Sequence, residues 1–337
     1  MKNLILTASL ALLLLSSSFS QAKTVEALIQ ECLFSAIKTA DKQKTLQEIE
    51  TLCEQEIVRK ELGTKQLGAI SERIIKERKS AFNPYVITPH KMNYILPATL
   101  TDNINQDAYS EVSGWSDNFK DVEAKFQLSI KVPLATGDIF TRGDQFFFGF
   151  TLESWWQLYA EAISRPFRET NYQPEFFYIT PLNWHPFDTN TGVIFGFEHQ
   201  SNGRSQLLSR SWNRAYVNFL FEKNNFALSF KPWFRIPEDE KESSISATGD
   251  DNPNIHHYMG HFELGLAYDL NDKYELSMKL RQNFTKHHGA VELGFTFPLW
   301  GKLRGYAQYF NGYGESLIDY NHKQQRIGFG IALTDIL

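Results

Sequence analysis

The chain has 337 residues, of which 42% are hydrophobic and 14% are aromatic. Its 34 Lys and Arg residues are outnumbered by 39 Asp and Glu residues, which gives a formal net charge of −5. A chain of this length can form two ordinary domains or one large β-barrel. Because no global positive field is present, the composition gives no support for a nucleic-acid partner, and we exclude that class.

The first 22 residues have the pattern of a secretory signal peptide. Lys2 supplies a positive charge, an apolar run follows at 4–15, and the small residues of a cleavage site occur at 20–22. We therefore expect the mature protein to begin at Lys23. After this point no window of ~18 residues is predominantly apolar and free of charge, so a membrane-spanning helix is excluded. A transmembrane β-barrel is not excluded, because its short alternating strands average to a polar composition.

Residues 23–81 are predicted to form a helical extension. This segment has no Trp, and its apolar side chains recur at helical spacing. The only cysteines, Cys32 and Cys53, flank a polar turn at 38–44, where two antiparallel helices would bring them together. An exported compartment is oxidising, so we expect a Cys32–Cys53 disulfide; two cysteines alone do not predict a zinc site. We interpret the extension as structural rather than regulatory.

From about residue 89 onward the hydrophobic period changes to two. Apolar side chains alternate with polar or charged ones, as at 125–132 and 274–281, which fits either a soluble sandwich or a membrane barrel. Three features favour the barrel: short turns alternate with long polar loops at 101–121 and 237–256, aromatic residues occur near strand ends, and a last alternating strand reaches Leu337. Interfacial girdles are expected from Trp155, Trp156, Trp212 and Trp233.

We therefore predict an all-β fold, with residues 82–337 forming an antiparallel transmembrane β-barrel of about 12 strands. An even number of strands is what closure by hairpins requires. The strands are placed near residues 89, 122, 145, 172, 191, 211, 224, 257, 273, 289, 303 and 325.

Polar residues continue the lipid-facing side of two neighbouring strands. The apolar parity of Val193, Phe195 and Phe197 extends to His199 and Ser201, and the next strand brings Asn213 to the same face. A hairpin folded about residue 206 places His199 opposite Asn213 and Ser201 opposite Ser211. Polar groups on a lipid-facing surface are destabilising, so this cluster invites a functional explanation.

Ser, His and Asn can act as nucleophile, general base and orienting partner in acyl transfer. The Asn would fix the tautomer of the imidazole without adding a negative charge. The alternative is an ordinary hairpin end, where strands reach the headgroups and polarity is normal. The parity and the paired Asn213 favour the catalytic interpretation.

The segments 197–205 and 209–214 resemble the active-site hairpin of the outer membrane phospholipase A family. The resemblance covers roughly 82–337, and further matches occur in order at 154–158, 166–172, 231–233, 250–253, 258–260 and 312–321. It implies that Ser201 is the nucleophile, His199 the general base and Asn213 its orienting partner.

The resemblance also implies calcium beside the nucleophile. In the family the ion is held by a Ser side chain and an Arg main-chain carbonyl, which correspond to Ser209 and Arg204, and by a Ser carbonyl of a second subunit, which corresponds to Ser164. The N–H group of Gly203 would join calcium-bound water in the oxyanion hole. No acidic cluster surrounds the site, so the residues alone do not predict the ion.

Two positions depart from the family pattern. Gln206 stands where some members carry an Asp near calcium, so the sequence does not decide whether a second calcium site exists. Leu152 stands where some members carry a Gln on the dimer face, so the dimer contacts are not decided either. The acidic run 238–242 is interpreted as a solvated loop. The histidine pairs at 256–257 and 287–288 are not expected to share a metal.

The predicted function is calcium-dependent hydrolysis of acyl esters of phospholipids and lysophospholipids in the outer membrane. Homodimerisation is expected to activate the enzyme, because one calcium ligand comes from a neighbouring barrel and a flat barrel wall supplies no acyl pocket. The alternative is a passive channel or structural barrel with an inert triad. In that interpretation the polar residues that point into the barrel line a pore. These residues are Glu153, Lys231, Glu263 and Arg281.

Overall fold

The computed structural model describes most of the chain after the N-terminus. The described residues are 25–39, 45–62, 68–79, 83, 86–112, 114–136, 139–243, 246, 248–271, 273–301 and 303–334. The predicted signal peptide at 1–22, the mature N-terminus at Lys23 and the terminal Leu337 lie outside the described residues.

The described chain forms a closed antiparallel β-barrel of twelve strands, which confirms the predicted fold class. Each barrel strand pairs with its neighbours in the chain, and β13 pairs with β2 to close the cylinder. A further short strand pairs with β3. The strands are β1 Thr88–Pro89, β2 Tyr94–Thr101, β3 Val122–Thr136, β4 Gln145–Trp156, β5 Phe167–Leu182, β6 Asn190–Ser201, β7 Ser211–Lys223, β8 Phe226–Ile236, β9 Phe262–Leu270, β10 Tyr274–Asn283, β11 His288–Trp300, β12 Leu303–Tyr313 and β13 Lys323–Ala332.

Two predicted strand positions were wrong. Residue 89 lies in the short β1, and the first barrel strand begins only at Tyr94. The strand expected near 257 is instead a short helix, α4 Ile255–Met259. Ile255 and Met259 are both buried and lie four residues apart, which is the spacing of one helix face rather than of a strand.

The predicted tryptophan girdle was also largely wrong. Trp155, Trp212 and Trp233 are buried, while Trp156 faces outward and stacks on Phe167 with ring centroids 5.1 Å apart. Side chains alternate between the two faces of a strand, so neighbouring Trp155 and Trp156 cannot both face lipid. Proximity to a strand end correctly predicted that these rings lie near the ends of their strands. Strand parity, however, determines whether each ring faces the lumen or the outside of the barrel.

The two ends of the barrel differ as the sequence predicts. One end carries the shortest connections, such as 224–225 between β7 and β8, and the other, which we call the outer end, carries the longest loops, 102–121 and 237–261. The loop 314–322 folds into the lumen at the outer end. There Arg168 contacts Glu123 at 2.7 Å and Asp319 at 3.0 Å, all three being fully buried.

Three helices precede the barrel: α1 Val25–Thr39, α2 Leu46–Leu62 and α3 Ala69–Lys79. A disulfide joins Cys32 of α1 to Cys53 of α2, with a Cα–Cα distance of 5.7 Å. Within the part of the chain that the structure describes, none of the helices has the length and apolar character needed to cross a membrane.

Helix α3 lies in the lumen at the end with the short turns. The main-chain N–H of Ser71 donates to Glu222 at 2.9 Å, and Glu77 pairs with Lys131 at 2.7 Å. Both barrel partners point inward from their strands. The lumen is therefore filled from both ends, by α3 and by the loop 314–322, with a cavity of about 450 Å³ between them.

Candidate active site

The hairpin of β6 and β7 has the predicted register. His199 lies opposite Asn213 and Ser201 opposite Ser211, which confirms a hairpin centred on residue 206. The side chain of His199 is exposed on the outer wall, whereas its neighbour Glu198 is buried inside. The polar cluster therefore continues the lipid-facing surface, as the alternation of apolar residues predicts.

His199 and Asn213 are joined by a hydrogen bond of 2.8 Å between Nδ1 and Oδ1. An amide oxygen is an acceptor only, so Nδ1 carries the proton in this arrangement and Nε2 keeps a free lone pair. This is the tautomer that a general base needs on the side facing a nucleophile.

Ser201 lies two residues beyond His199 on the same face of β6. Among the described residues, no hydrogen bond joins the Ser201 hydroxyl to the imidazole. Such bonds are often long in the absence of substrate and shorten only in the reacting complex. The structure thus brings His199 and Asn213 into contact and places Ser201 on the same strand and the same face, two residues from His199.

The interior side of the hairpin is firmly held. Trp212 is fully buried and donates its indole N–H to Gln200 at 2.8 Å. The guanidinium of Arg214 stacks on the Trp212 ring at 3.8 Å, and Lys231 pairs with Glu198 at 2.8 Å. All of these residues except Lys231 adjoin a member of the cluster in sequence, so their packing holds the strands from which the outward side chains project.

Asn202 organises the loop that follows the serine. Its side chain accepts from the main-chain N–H groups of Arg204 at 3.2 Å and Arg210 at 3.0 Å, and it donates to the carbonyl of Leu208 at 2.8 Å. Gly203 adopts a left-handed φ of +62°, which glycine tolerates best. A Cβ atom there would lie 3.2 Å from the Tyr172 ring, so the loop conformation and the space both suit glycine.

The residues implied for calcium offer oxygen atoms. The Ser209 hydroxyl donates to Asp251 at 2.6 Å, and Arg204 is in the same loop. Ser164 is exposed in the β4–β5 loop, where its carbonyl would be open to a second barrel. Hydroxyl, carbonyl and carboxylate oxygens are the donors that calcium prefers, so this set fits the ion. Among the described residues, no group of three His, Cys, Asp or Glu side chains forms a metal site.

The acidic run was expected to be a solvated loop, and this was wrong for two of its members. Glu238 accepts a hydrogen bond of 2.8 Å from Nδ2 of Asn213, and Lys241 contacts Asp251. The missed signal was parity: Phe234 and Ile236 face outward on β8, and the next residue of that parity is Glu238. The prediction stopped at the strand end and did not extend the pattern into the loop.

The outer wall beside the hairpin carries a shallow, open groove, where a flat wall was expected. A lipid-facing groove of about 740 Å³ runs below the polar cluster. The small residue Ala215, on the outward face of β7, contributes to this groove. Its lining includes Phe176, Phe195, Phe197, Val217 and Phe234.

Comparison with known proteins decides the family. The family model described as Phospholipase A1 matches residues 70–333. The chain belongs to the phospholipase A1 family. The match begins inside α3 and so starts earlier than the predicted barrel domain at 82; the division into 23–81 and 82–337 stays a prediction.

Relatives named Phospholipase A1 match over most of their length. The Proteus vulgaris protein is 39% identical over 272 residues, which cover 80% of this chain and 88% of that protein. The Escherichia coli K12 protein is 38% identical over 273 residues, with the same coverage. The predicted family and the enzyme class, a phospholipase, are confirmed.

Solved structures of outer membrane phospholipase A share the fold. A calcium-bound dimer from Salmonella typhi has a TM-score of 0.69 and is 39% identical, covering 76% of this chain and 94% of that one. The Escherichia coli structure has a TM-score of 0.67 and is 38% identical, covering 75% of this chain and all of that one. The phospholipase is therefore an outer-membrane barrel, as predicted, and its filled lumen argues against the passive channel.

Proposed function

We propose that this phospholipase hydrolyses acyl esters of phospholipids and lysophospholipids on the outer wall of the barrel. His199 accepts the proton of Ser201 through Nε2, and the serine oxygen attacks the ester carbonyl carbon. The protonated imidazole then donates to the departing alcohol oxygen, and water releases the fatty acid from the acylated serine by the same steps. The bond between His199 and Asn213 on the lipid-facing surface is the observation that carries this proposal.

Asn213 orients the base and does not react. Its oxygen holds the Nδ1 proton and leaves Nε2 free for the serine. An Escherichia coli relative with a TM-score of 0.70 and 36% identity was solved as an active-site variant in which an asparagine is replaced by alanine, and it covers 80% of this chain and 98% of that one. The presence of an asparagine in the active site of that relative supports the role of Asn213 here.

The N–H group of Gly203 would donate to the oxygen that becomes negative during attack. Calcium, held by the Ser209 hydroxyl, the Arg204 carbonyl and the carbonyl of Ser164 of the partner subunit, would supply positive charge at the same place. Asp251 supports this assignment, because it accepts from Ser209 and adds a carboxylate beside the donor set.

A homodimer in the membrane would be the active form. The Salmonella typhi relative is a dimer with bound calcium. In this chain Ser164 is exposed, and apolar side chains such as Leu128 and Leu152 stand side by side on the outer wall of β3 and β4. The groove near Ala215 would take an acyl chain, and a second barrel would cover the reacting ester.

The test replaces Ser201 by alanine in protein purified in detergent. With calcium and a phospholipid substrate, the wild-type protein should release fatty acid and the Ser201→Ala variant should release none above background. A gel-mobility assay of barrel folding serves as the control. The variant should fold like the wild type, because the Ser201 hydroxyl does not pack in the core. Full activity in the variant would contradict the mechanism.

A further inference from the structure

The carboxylate of Glu238 extends the chain of hydrogen bonds that begins at His199. Asn213 accepts from His199 through Oδ1 and donates to Glu238 through Nδ2, and both bonds measure 2.8 Å. Glu238 lies two residues beyond the end of β8, on the outward parity of Ile236, which pairs with Asn213. The carboxylate is therefore diagonal to Asn213 on the same face of the wall.

No basic side chain of the described chain neutralises Glu238. The nearest basic residues in sequence are paired elsewhere: Arg235 with Asp250 at 2.5 Å, and Lys241 with Asp251. A half-buried carboxylate at the membrane surface is costly unless its oxygens are hydrogen-bonded. Its bond to Asn213 is thus the contact that explains its position.

The carboxylate determines which way the Asn213 amide points. A carboxylate accepts hydrogen bonds and cannot donate them, so the NH₂ end of the amide must face Glu238. The oxygen end then faces His199 and holds the proton on Nδ1. If the amide turned over, its oxygen would meet the carboxylate and two acceptors would repel each other.

Without Glu238 the two amide orientations are closer in energy. The reversed amide presents its NH₂ group to Nδ1, which favours the tautomer with the proton on Nε2. That tautomer cannot accept the proton of Ser201. A charged acceptor also makes a stronger hydrogen bond than a neutral one, so the carboxylate restrains the whole series of hydrogen bonds from Glu238 through Asn213 to His199.

We propose that Glu238 is a positioning residue that selects the productive amide orientation of Asn213 and, through it, the productive tautomer of His199. The inference rests on the proposed function of the triad. It differs from that function in assigning a fourth member, which acts only through Asn213 and touches neither substrate nor nucleophile.

The test is a double-mutant cycle with Glu238→Ala and Asn213→Ala, measured on a phospholipid in detergent micelles with saturating calcium. We expect Glu238→Ala to lower kcat by about fivefold with KM unchanged, the equivalent of roughly one hydrogen bond. In the Asn213→Ala background the same change should have no further effect, because the residue it acts through is gone. Glu238→Gln keeps an acceptor and should recover part of the lost rate.

Two controls separate this inference from the proposed function. Glu240→Ala removes an exposed carboxylate from the same loop and should leave kcat unchanged. Ser201→Ala should be inactive; if it is active, the proposed function itself fails. Where turnover of Asn213→Ala is too slow, the rate of inactivation by an alkylsulfonyl fluoride gives the same comparison.

Three results would overturn the role of Glu238 while leaving the triad in place. One is a Glu238→Ala variant with the kcat of the wild type. Another is a loss confined to KM, which would indicate substrate binding. The third is an equal loss in the presence and absence of Asn213, which would indicate a purely structural effect of the loop.

Discussion

Asn213 is the residue that connects the polar side chains of the candidate site, through hydrogen bonds to His199 and Glu238. Alternation of apolar residues predicted that His199, Ser201 and Asn213 share the lipid-facing side, because strand parity is a local property of the sequence. Glu238 and Asp251 were not predicted as partners. For Glu238 the parity of β8, continued past the strand end, would have indicated the outward direction, but its contact with Asn213 also depends on how the β8–β9 loop folds back on the hairpin. Asp251 lies deep in that loop, where no strand periodicity indicates the direction of its side chain.

Replacing Asn213 by alanine should slow the enzyme without abolishing the reaction. The variant loses the group that orients the imidazole, but it keeps both Ser201 and His199. We expect kcat to fall by about 10²-fold, the lower part of the range attributed to general acid–base catalysis. Measured beside Ser201→Ala, a complete loss in Asn213→Ala would show that the amide does more than orient the base.

Helix α3 shows how far a local pattern carries the prediction of an element. The apolar spacing predicted helices within 23–81, but nothing in it placed α3 inside the barrel. That position depends on contacts such as Ser71 with Glu222, which are 151 residues apart. Pairings over such distances arise from the closed barrel and not from the helix sequence.

Removing the side-chain hydroxyl of Ser71 should loosen α3 in the lumen. The Ser71→Ala variant leaves the buried Glu222 carboxylate with one donor fewer, at a cost of about 1–3 kcal/mol. We expect trypsin to cleave within α3 faster than in the wild-type protein, while the barrel strands stay protected. Glu50→Ala, at an exposed position of α2, is the matched control. Equal cleavage in all three proteins would mean that this contact does not hold the helix.

At the scale of the whole molecule, the lumen is filled by structural contacts and the candidate active site lies on the outer wall. Closure into twelve strands could be predicted because alternation, turn lengths and an even strand number agree. The filling of the lumen could not be predicted, because it arises from ion pairs between residues that are far apart in the sequence. Arg326 and Glu123 form one such pair at 2.9 Å. These pairs hold the outer end of the lumen together by contacts between side chains far apart in the sequence.

The loop 314–322 should make the folded barrel sensitive to acid. Burial alone would raise the pKa of Glu315, but the charges of Arg326 and Lys125 outweigh it and lower the pKa from 4.5 to about 2. The stabilisation is thus complete above about pH 4.5 and is lost as the pH falls toward 2. Glu315→Gln should be less stable at neutral pH and should respond less to pH in this window, as measured by gel mobility after heating. An unchanged acid profile would contradict the assignment.

Calcium should favour the dimer. An ion that is bound across an interface must strengthen that interface by linkage. Crosslinking across a range of calcium concentrations should therefore show more dimer as calcium rises, in parallel with activity. The contradicting result is activity per barrel that stays constant under extreme dilution in detergent, with no dimer detected. It would show that dimerisation is not required for activity, and it would not affect the assignment of the triad.

The most direct test of the central claim identifies the nucleophile chemically. A long-chain alkylsulfonyl fluoride should react with the calcium-activated wild-type protein and leave one sulfonyl group on Ser201, located by peptide mass spectrometry. Activity should fall in proportion to the label, and His199→Ala should react far more slowly because the base is missing. A label on another residue, or full activity in fully labelled protein, would contradict the assignment of Ser201.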